Sequence, residues 1–330
     1  MTTLLTGATG FVGSAVARVL AARGHTLRLL ARPTSDRRNL AGLDAEVVTG
    51  DLTDPASLAR AAAGCRFVVH VAADYRFWVP DPAAMLRANV EGTLAMMRAA
   101  QQSGAERIVH CSSVAALGYT ADGSPADEAT PVDPGALVST YKRSKYQAEQ
   151  AVLDMTRAEK LPAVIVNPAA PVGPRDIKPT PTGKMIMDAA NGRIPAYLDT
   201  GLNVVHVDDV AEGHALALER GRIGERYVLG GENLLLKDVL ALIADVAGRR
   251  PPRIELPEAL IWPVAWAMEK TAPLTGIAPM MTRDHLKMAR KKMFYSSAKA
   301  AAELGYRARP AREAVADALA WFRAMGMLRA

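Results

Sequence analysis

Tyr141 and Lys145 stand four residues apart in the string Tyr141 Lys142 Arg143 Ser144 Lys145. On a helix that spacing places a phenol and an ammonium one turn apart on the same face. Ser139 is positioned to cap such a helix, leaving Tyr141 near its positive end. Both influences favour the phenolate and are expected to lower the phenol pKa toward the working pH, as a proton-shuttling acid or base requires. Ser112 and Ser113 close the apolar run Arg107 to Cys111, where a hydroxyl could hydrogen-bond a carbonyl or alkoxide oxygen. At the N-terminus, Thr6 Gly7 Ala8 Thr9 Gly10 Phe11 Val12 Gly13 follows apolar Thr3 Leu4 Leu5 and leads into a helix-like stretch, Ser14 to Arg23. In such a turn Gly7 bends sharply, Gly10 lets the main chain approach a pyrophosphate, and Gly13 lets helix and strand pack closely. These groups together could move a proton at an oxygen beside a bound dinucleotide.

A chain of 330 residues, 50% hydrophobic and 22% charged, can bury a large core. Strands are expected at Leu27 to Leu30, Glu46 to Thr49, Phe67 to Val71, Arg107 to Cys111 and Ala163 to Val166. Helices are expected between them at Ala15 to Arg23, Pro55 to Ala63, Ala84 to Ser103 and Ser139 to Glu159. This alternation predicts an α/β architecture with a Rossmann-type doubly wound parallel sheet, its ligand crevice at the strand carboxyl ends. Beyond Asn167 the pattern loosens, with a further strand and helix over Asn203 to Arg220 and a helix-rich tail from Leu235. Residues 1–170 and 203–230 are therefore assigned to a dinucleotide-binding domain, and 171–202 and 231–330 to a smaller, mostly helical C-terminal substrate lobe.

The net charge of +6 is mild and the arginines are scattered, which argues against a nucleic-acid partner. Cys65 and Cys111 are too isolated for a disulfide framework, and the six histidines lack metal-ligand spacing. A reducing cytoplasmic setting and no metal are expected, and the N-terminal apolar stretch lacks the basic flank of a signal peptide. Cofactor choice turns on the end of the second strand, where NAD sites place an acidic residue for the ribose 2′-hydroxyl. Here the chain reads Leu30 Ala31 Arg32 Pro33 Thr34 Ser35, with no acid before Asp36. A guanidinium at Arg32 can hold a 2′-phosphate that a carboxylate would repel, so NADP(H) is favoured over NAD(H). His206 with Asp208 and Asp209 reads as a structural strand-to-helix turn with Asp208 as N-cap.

At these residues the chain resembles the extended short-chain dehydrogenase/reductase family over essentially its whole length. The resemblance rests on Thr6 to Gly13, Gly50 Asp51 Leu52, Val71 Ala72 Ala73, Asn89 Val90 Glu91 Gly92 Thr93, Ser112 Ser113, Tyr141 to Lys145, and Val205 to Val210. It implies catalytic roles for Ser113, Tyr141 and Lys145, with Ser112 as the neighbouring serine on the cofactor side. Beside Arg32, the cofactor contacts expected are Gly7, Thr9, Gly10, Phe11, Val12, Gly13, Asp51, Leu52, Ala72, Ala73, Asn89, Tyr141, Lys145, Asn167 and Pro168. A two-helix interface that includes the Tyr141 helix would make a homodimer. Ala73 to Trp78, Asn167 to Lys178, Pro179 to Gly183 and Lys291 to Lys299 are similar to the bacterial group called hopanoid-associated sugar epimerases. The wider neighbourhood is similar to the dihydroflavonol reductase and 3β-hydroxysteroid dehydrogenase branches. Asp74, Tyr75, Arg175 and Lys178 fall where family substrates bind, with Asp176 between the last two.

An epimerase must hold an oxidised nicotinamide through the reaction, whereas a reductase reloads a reduced one. The NADP reading of Arg32 therefore favours net reduction of a sugar-derived carbonyl on a polycyclic lipid, as in ribosylhopane going to a tetrol side chain. Sugar epimerisation with tightly held NAD(P)+ and a non-catalytic NADPH-sensing protein stay open beside it. The substrate expected is a small-molecule or lipid-linked sugar. The apolar stretch Leu256 to Met281, with Trp262, Trp266 and flanking Arg283, Lys287, Arg290, Lys291 and Lys292, reads either as a lobe core helix or as a greasy entry at the inner membrane surface.

Overall fold

Short β-branched and leucine runs alternate with alanine-rich amphipathic segments, and the first half of the chain folds accordingly. The computed structural model describes residues 1–75, 81–275 and 291–328. In chain order it shows β1 (Thr2–Thr6), α1 (Phe11–Ala22), β2 (Thr26–Ala31), β3 (Ala45–Thr49), α2 (Pro55–Ala62), β4 (Phe67–His70), α3 (Pro82–Leu86), α4 (Gly92–Gln102), β5 (Arg107–Cys111), α5 (Thr140–Glu159) and β6 (Ala163–Pro168). The chain continues with β7 (Ala170–Val172), α6 (Pro181–Ala190), β8 (Ala196–Tyr197), β9 (Gly201–His206), α7 (Val207–Arg220), β10 (Arg226–Leu229), β11 (Glu232–Leu235), α8 (Leu236–Ala247), β12 (Ile254–Glu255) and α9 (Glu258–Thr275). β13 (Lys292–Met293), α10 (Ala298–Leu304) and α11 (Ala311–Ala324) follow.

Seven strands form one sheet in the order β10-β6-β5-β4-β1-β2-β3, with every neighbouring pair parallel. β6 is buried along its whole length, which is why it reads as an unbroken apolar run rather than an alternating one. One face packs on α1 and α7 through Val16, Leu20, Val210 and Leu216; the other packs on α2, α4 and α5 through Leu58, Met96, Met97 and Val152. This is a Rossmann-type doubly wound α/β fold. Its strand order reverses between β1 and β4, the place where such sheets open a ligand crevice.

The lobe contains more sheet than its sequence suggests. β7, β9, β11 and β13 build a second, four-stranded sheet in which β7 and β13 run parallel to β9 and β11 antiparallel to it. α6, α8 and α11 cover it with Ile186, Val239, Ile243, Val315 and Phe322. β9 thus belongs to the second sheet, while α7 and β10, the segments that follow it, return to the main one. β7, β11 and β13, of three, four and two residues, are too short to show period, which hid this sheet from the sequence.

Three local expectations are corrected. α1 begins at Phe11 rather than Ala15, because Gly10 itself occupies the cap position in extended backbone. The helix expected over Ala84 to Ser103 begins at Pro82, capped by Asp81, and is interrupted by a π-turn, Arg87–Glu91, that ends where α4 starts. α7 is capped by His206, whose Nδ1 accepts the Asp208 N–H at 3.0 Å, so Asp208 lies inside the first turn. Among the described residues no helix is long and apolar enough to cross a membrane. Arg76, Phe77 and Trp78, and the stretch from Ile277 through Met280, Met281, Arg283, Lys287 and Arg290, lie outside the described residues.

Candidate active site

The glycine turn joins β1 to α1 at the β1/β4 switch point. Gly7 adopts φ +80°, and a Cβ there would sit 2.7 Å from the Ala72 nitrogen after β4. A Cβ on Gly13 would overlap the Gly7 carbonyl, so only glycine lets α1 lie this close to the turn. No side chain caps the start of α1 and its first turn carries no acidic residue. A helix N-terminus with its N–H groups unclaimed and no carboxylate nearby suits a phosphate, so the residues present fit a dinucleotide.

The neighbouring strands β2 and β4 end beside this turn. Thr6 Oγ1 bonds the His70 Nδ1 at 2.8 Å and receives the Ala72 N–H at 3.2 Å, tying β1 to the Ala72 Ala73 segment. Asn89, in the π-turn, holds the next loop by accepting the Asp74 N–H at 2.7 Å and donating to the Asp74 carbonyl at 3.0 Å. The same amide donates to Ser144 Oγ on α5 at 3.0 Å. Asp51 turns its carboxylate onto Thr53 N–H and hydroxyl at 2.8 and 2.7 Å, and Leu52 packs against Gly92. Arg32, directly after β2, is exposed, and among the described residues no carboxylate is ion-paired with it, although Asp51 feels its charge.

Ser139 caps α5 through a 3.2 Å bond from the Lys142 N–H to its hydroxyl, placing Tyr141 in the first turn. Tyr141 is 9% exposed and its phenol hydrogen-bonds the Ser113 side chain. Tyr75, 40% exposed, meets the Tyr141 ring edge to face with centroids 4.8 Å apart. Lys145 lies one turn on, and its Nζ donates to the Cys111 carbonyl at 2.8 Å. The two serines point different ways: Ser113 toward Tyr141, Ser112 toward the buried carboxylate of Glu149.

The electrostatics reverse one expectation. Burial pushes the Tyr141 phenol above its ordinary value, Tyr75 adds to that, and only the Ser113 hydrogen bond opposes it. The ammonium that was to lower it is itself desolvated and turned onto the Cys111 carbonyl. Tyr141 therefore holds its proton at neutral pH and is set to donate one. His70 is driven to about 3, His214 to about 4 and His110 well below the ordinary imidazole value, by burial first and by Lys145 next, except that at His214 the Val210 carbonyl partly offsets burial. Burial likewise raises Asp176 to about 6, its carboxylate accepting the Thr180 N–H and hydroxyl.

The proposed substrate residues divide. Tyr75 and Asp74 sit beside Tyr141 and Asn89, and Asp176 is within electrostatic reach of Tyr75. Arg175 lies at the glycine turn instead: the buried Asn39 amide donates to the carbonyls of both Thr9, at 3.2 Å, and Arg175, at 3.1 Å. Its guanidinium pairs with Asp208, and its backbone takes φ +77°. Lys178 is exposed and close enough to Asp36, beyond β2, to influence its carboxylate. Sequence reasoning missed Asn39, which carries no local signal. It also missed Glu149, although the spacing Tyr141, Lys145, Glu149 repeats one helical face.

A model of the NAD dependent epimerase/dehydratase family matches residues 3–230. A Synechocystis sp. protein provisionally named dihydroflavonol 4-reductase is 41% identical over 98% of this chain and 95% of its own length. Sterol demethylase protein B of Methylococcus capsulatus is 34% identical, covering 99% of this chain and all 100% of the relative. The crystal structure of gox2253 superposes with a TM-score of 0.91 at 60% identity over 99% of each chain. With the glycine turn and the tyrosine–lysine helix on one doubly wound sheet, this chain is an enzyme of the NAD dependent epimerase/dehydratase family, within the extended short-chain dehydrogenase/reductases.

Proposed function

We propose that the protein is an NADP(H)-dependent reductase of a sugar-derived carbonyl carried on a polycyclic lipid, such as a ribosylhopane side chain. The observation that carries the reading is Arg32: a guanidinium without an ion-paired carboxylate follows β2 where an NAD site would place an acid. The protonated Tyr141 phenol supports the reductive direction, and the full-length likeness to a protein named for a sterol supports a polycyclic carrier.

In this reading Gly7, Thr9, Gly10, Phe11, Val12 and Gly13 hold the pyrophosphate with help from Arg175, and Arg32 holds the 2′-phosphate. Asp51 and Leu52 border the adenine, while Ala72, Ala73, Asn89, Ser112, Asn167 and Pro168 frame the nicotinamide end. When bound, the reduced nicotinamide supplies the hydride. Tyr141 gives its phenol proton to the substrate oxygen, the Ser113 hydroxyl orients that oxygen, and Lys145 holds the cofactor ribose. Asp74 and Tyr75 flank the incoming substrate, with Lys178 farther out. Trp262 and Trp266, 39% and 47% exposed one turn apart on α9, face an anionic lipid surface from which the substrate enters. The working unit is a homodimer.

Purified protein with NADPH and ribosylhopane in anionic vesicles should consume NADPH in step with tetrol formation and should cosediment with the vesicles. Epimerised product without NADPH loss would replace this reading by epimerisation with held NAD(P)+, which the family's description favours. NADPH binding without any product would make the protein a sensor.

A further inference from the structure

Glu149 is completely buried, yet it touches neither the glycine turn nor Tyr141. It lies one turn beyond Lys145, on the helix face that carries Tyr141 and Lys145. Its Oε2 accepts the Asn167 amide at 2.6 Å, and that amide also donates to the Ser113 carbonyl at 3.0 Å. From the outer strand β10, Arg226 reaches Oε1 at 3.1 Å, while its other arm donates to the Glu128 carbonyl. A chain of bonds thus runs from the sheet edge through one carboxylate to the backbone of Ser113.

The groups facing Lys145 leave its charge poorly balanced. β4 presents His70, β5 presents His110 and Cys111, and α7 presents His214. The imidazoles are all forced neutral, and burial pushes the Cys111 thiol up to about 11, so none carries negative charge at neutral pH. The groups whose fields would hold Lys145 protonated are Cys111 and, after it, Glu149; with the thiol protonated at neutral pH, the carboxylate one turn along the same helix face is left to balance the ammonium among the described residues. Burial raises its own pKa, while Ser112, Arg226 and Asn167 favour its ionised form.

We propose that Glu149 is a positioning residue of this site, fixing Ser113 through Asn167 and serving as the buried counter-charge of the Lys145 ammonium. This rests on the reading of Ser113, Tyr141 and Lys145 as the reducing site, but its first test needs no substrate. NADPH binding, followed by cofactor fluorescence across pH, should weaken as pH rises and Lys145 loses its proton. In Glu149→Gln the removal of a nearby negative charge disfavours the ammonium, so that loss should begin about one pH unit lower. Turnover of NADPH with ribosylhopane should drop by about tenfold at constant substrate KM, because a neutral amide holds Asn167, and through it Ser113, less firmly than the carboxylate does.

Glu149→Asp keeps the charge while shortening its reach. It should restore the wild-type pH limb and only part of kcat, and it carries the test if Glu149→Gln does not fold. Superimposable pH limbs for wild type and Glu149→Gln, or a limb displaced in Glu149→Asp, would overturn the proposal. Failure of wild type to turn over ribosylhopane while the binding limb still moves would sink the substrate assignment and leave this inference standing.

Discussion

Tyr141 and Ser113 form the pair on which the proposed chemistry at an oxygen depends, and their environment differs from what spacing predicts. An isolated helix with Lys145 one turn away favours phenolate. Packing α5 against β5 and Tyr75 instead removes water from the phenol and commits the ammonium to the Cys111 carbonyl. Tyr141→Phe keeps the ring that packs on Tyr75 and removes only the hydroxyl, with its proton and its bond to Ser113. Turnover should fall by about 10²–10⁴-fold with NADPH affinity nearly unchanged, measured by steady-state kinetics beside cofactor titration. Equal losses of both would overturn the division of roles. These residues were legible in the sequence by type and spacing, whereas the sign of the tyrosine's pKa shift was not.

At the scale of elements, the β1–α1 turn tolerates only glycine at two positions. Gly7 needs a left-handed backbone, and Gly13 stands where any Cβ would overlap the Gly7 carbonyl. Gly13→Ala must push α1 away from β1, disturbing both the core contacts of Val16 and Leu20 and the N–H groups at the helix start. The expected cost is about 1–3 kcal/mol of stability together with a loss of NADPH binding, seen in thermal unfolding and titration. Wild-type behaviour in both would show that helix and turn can separate without penalty. Local patterns exposed this element because its cause is local: a turn, a cap and an adjacent helix. The second sheet was not visible in the same way, since β7, β9, β11 and β13 come from four distant stretches and reveal their partners only when paired.

For the whole molecule, the buried imidazoles of His70, His110 and His214 predict how stability responds to acid. In the unfolded chain each titrates near 6.5, whereas folding depresses them, His70 to about 3 and His214 to about 4. Below about pH 6.5 the unfolded state therefore binds more protons, and each imidazole costs the fold up to about 1.4 kcal/mol per pH unit until its folded form titrates. Asp176, raised to about 6, acts in the opposite sense between its unfolded value of 3.8 and that pH. Glu149, also raised by burial, acts in the same sense as Asp176, whereas His25 is lowered like the other imidazoles; the imidazoles outweigh the two carboxyls, so the thermal midpoint should fall between about pH 7 and pH 5, and a flat profile would mean that the imidazoles titrate freely.

The sequence by itself determined what short-range physics controls: the glycine turn, the cap and face of α5, the alternation that makes a parallel sheet, and the absence of an acid after β2. Only the tertiary structure decided which distant groups share an environment. Asn39, bonded to Thr9, meets Arg175 across 136 residues, and Glu149 meets Arg226 across 77. Proton affinities at the site follow from such meetings, because desolvation and fields depend on what packs around a group, and no spacing along the chain encodes that.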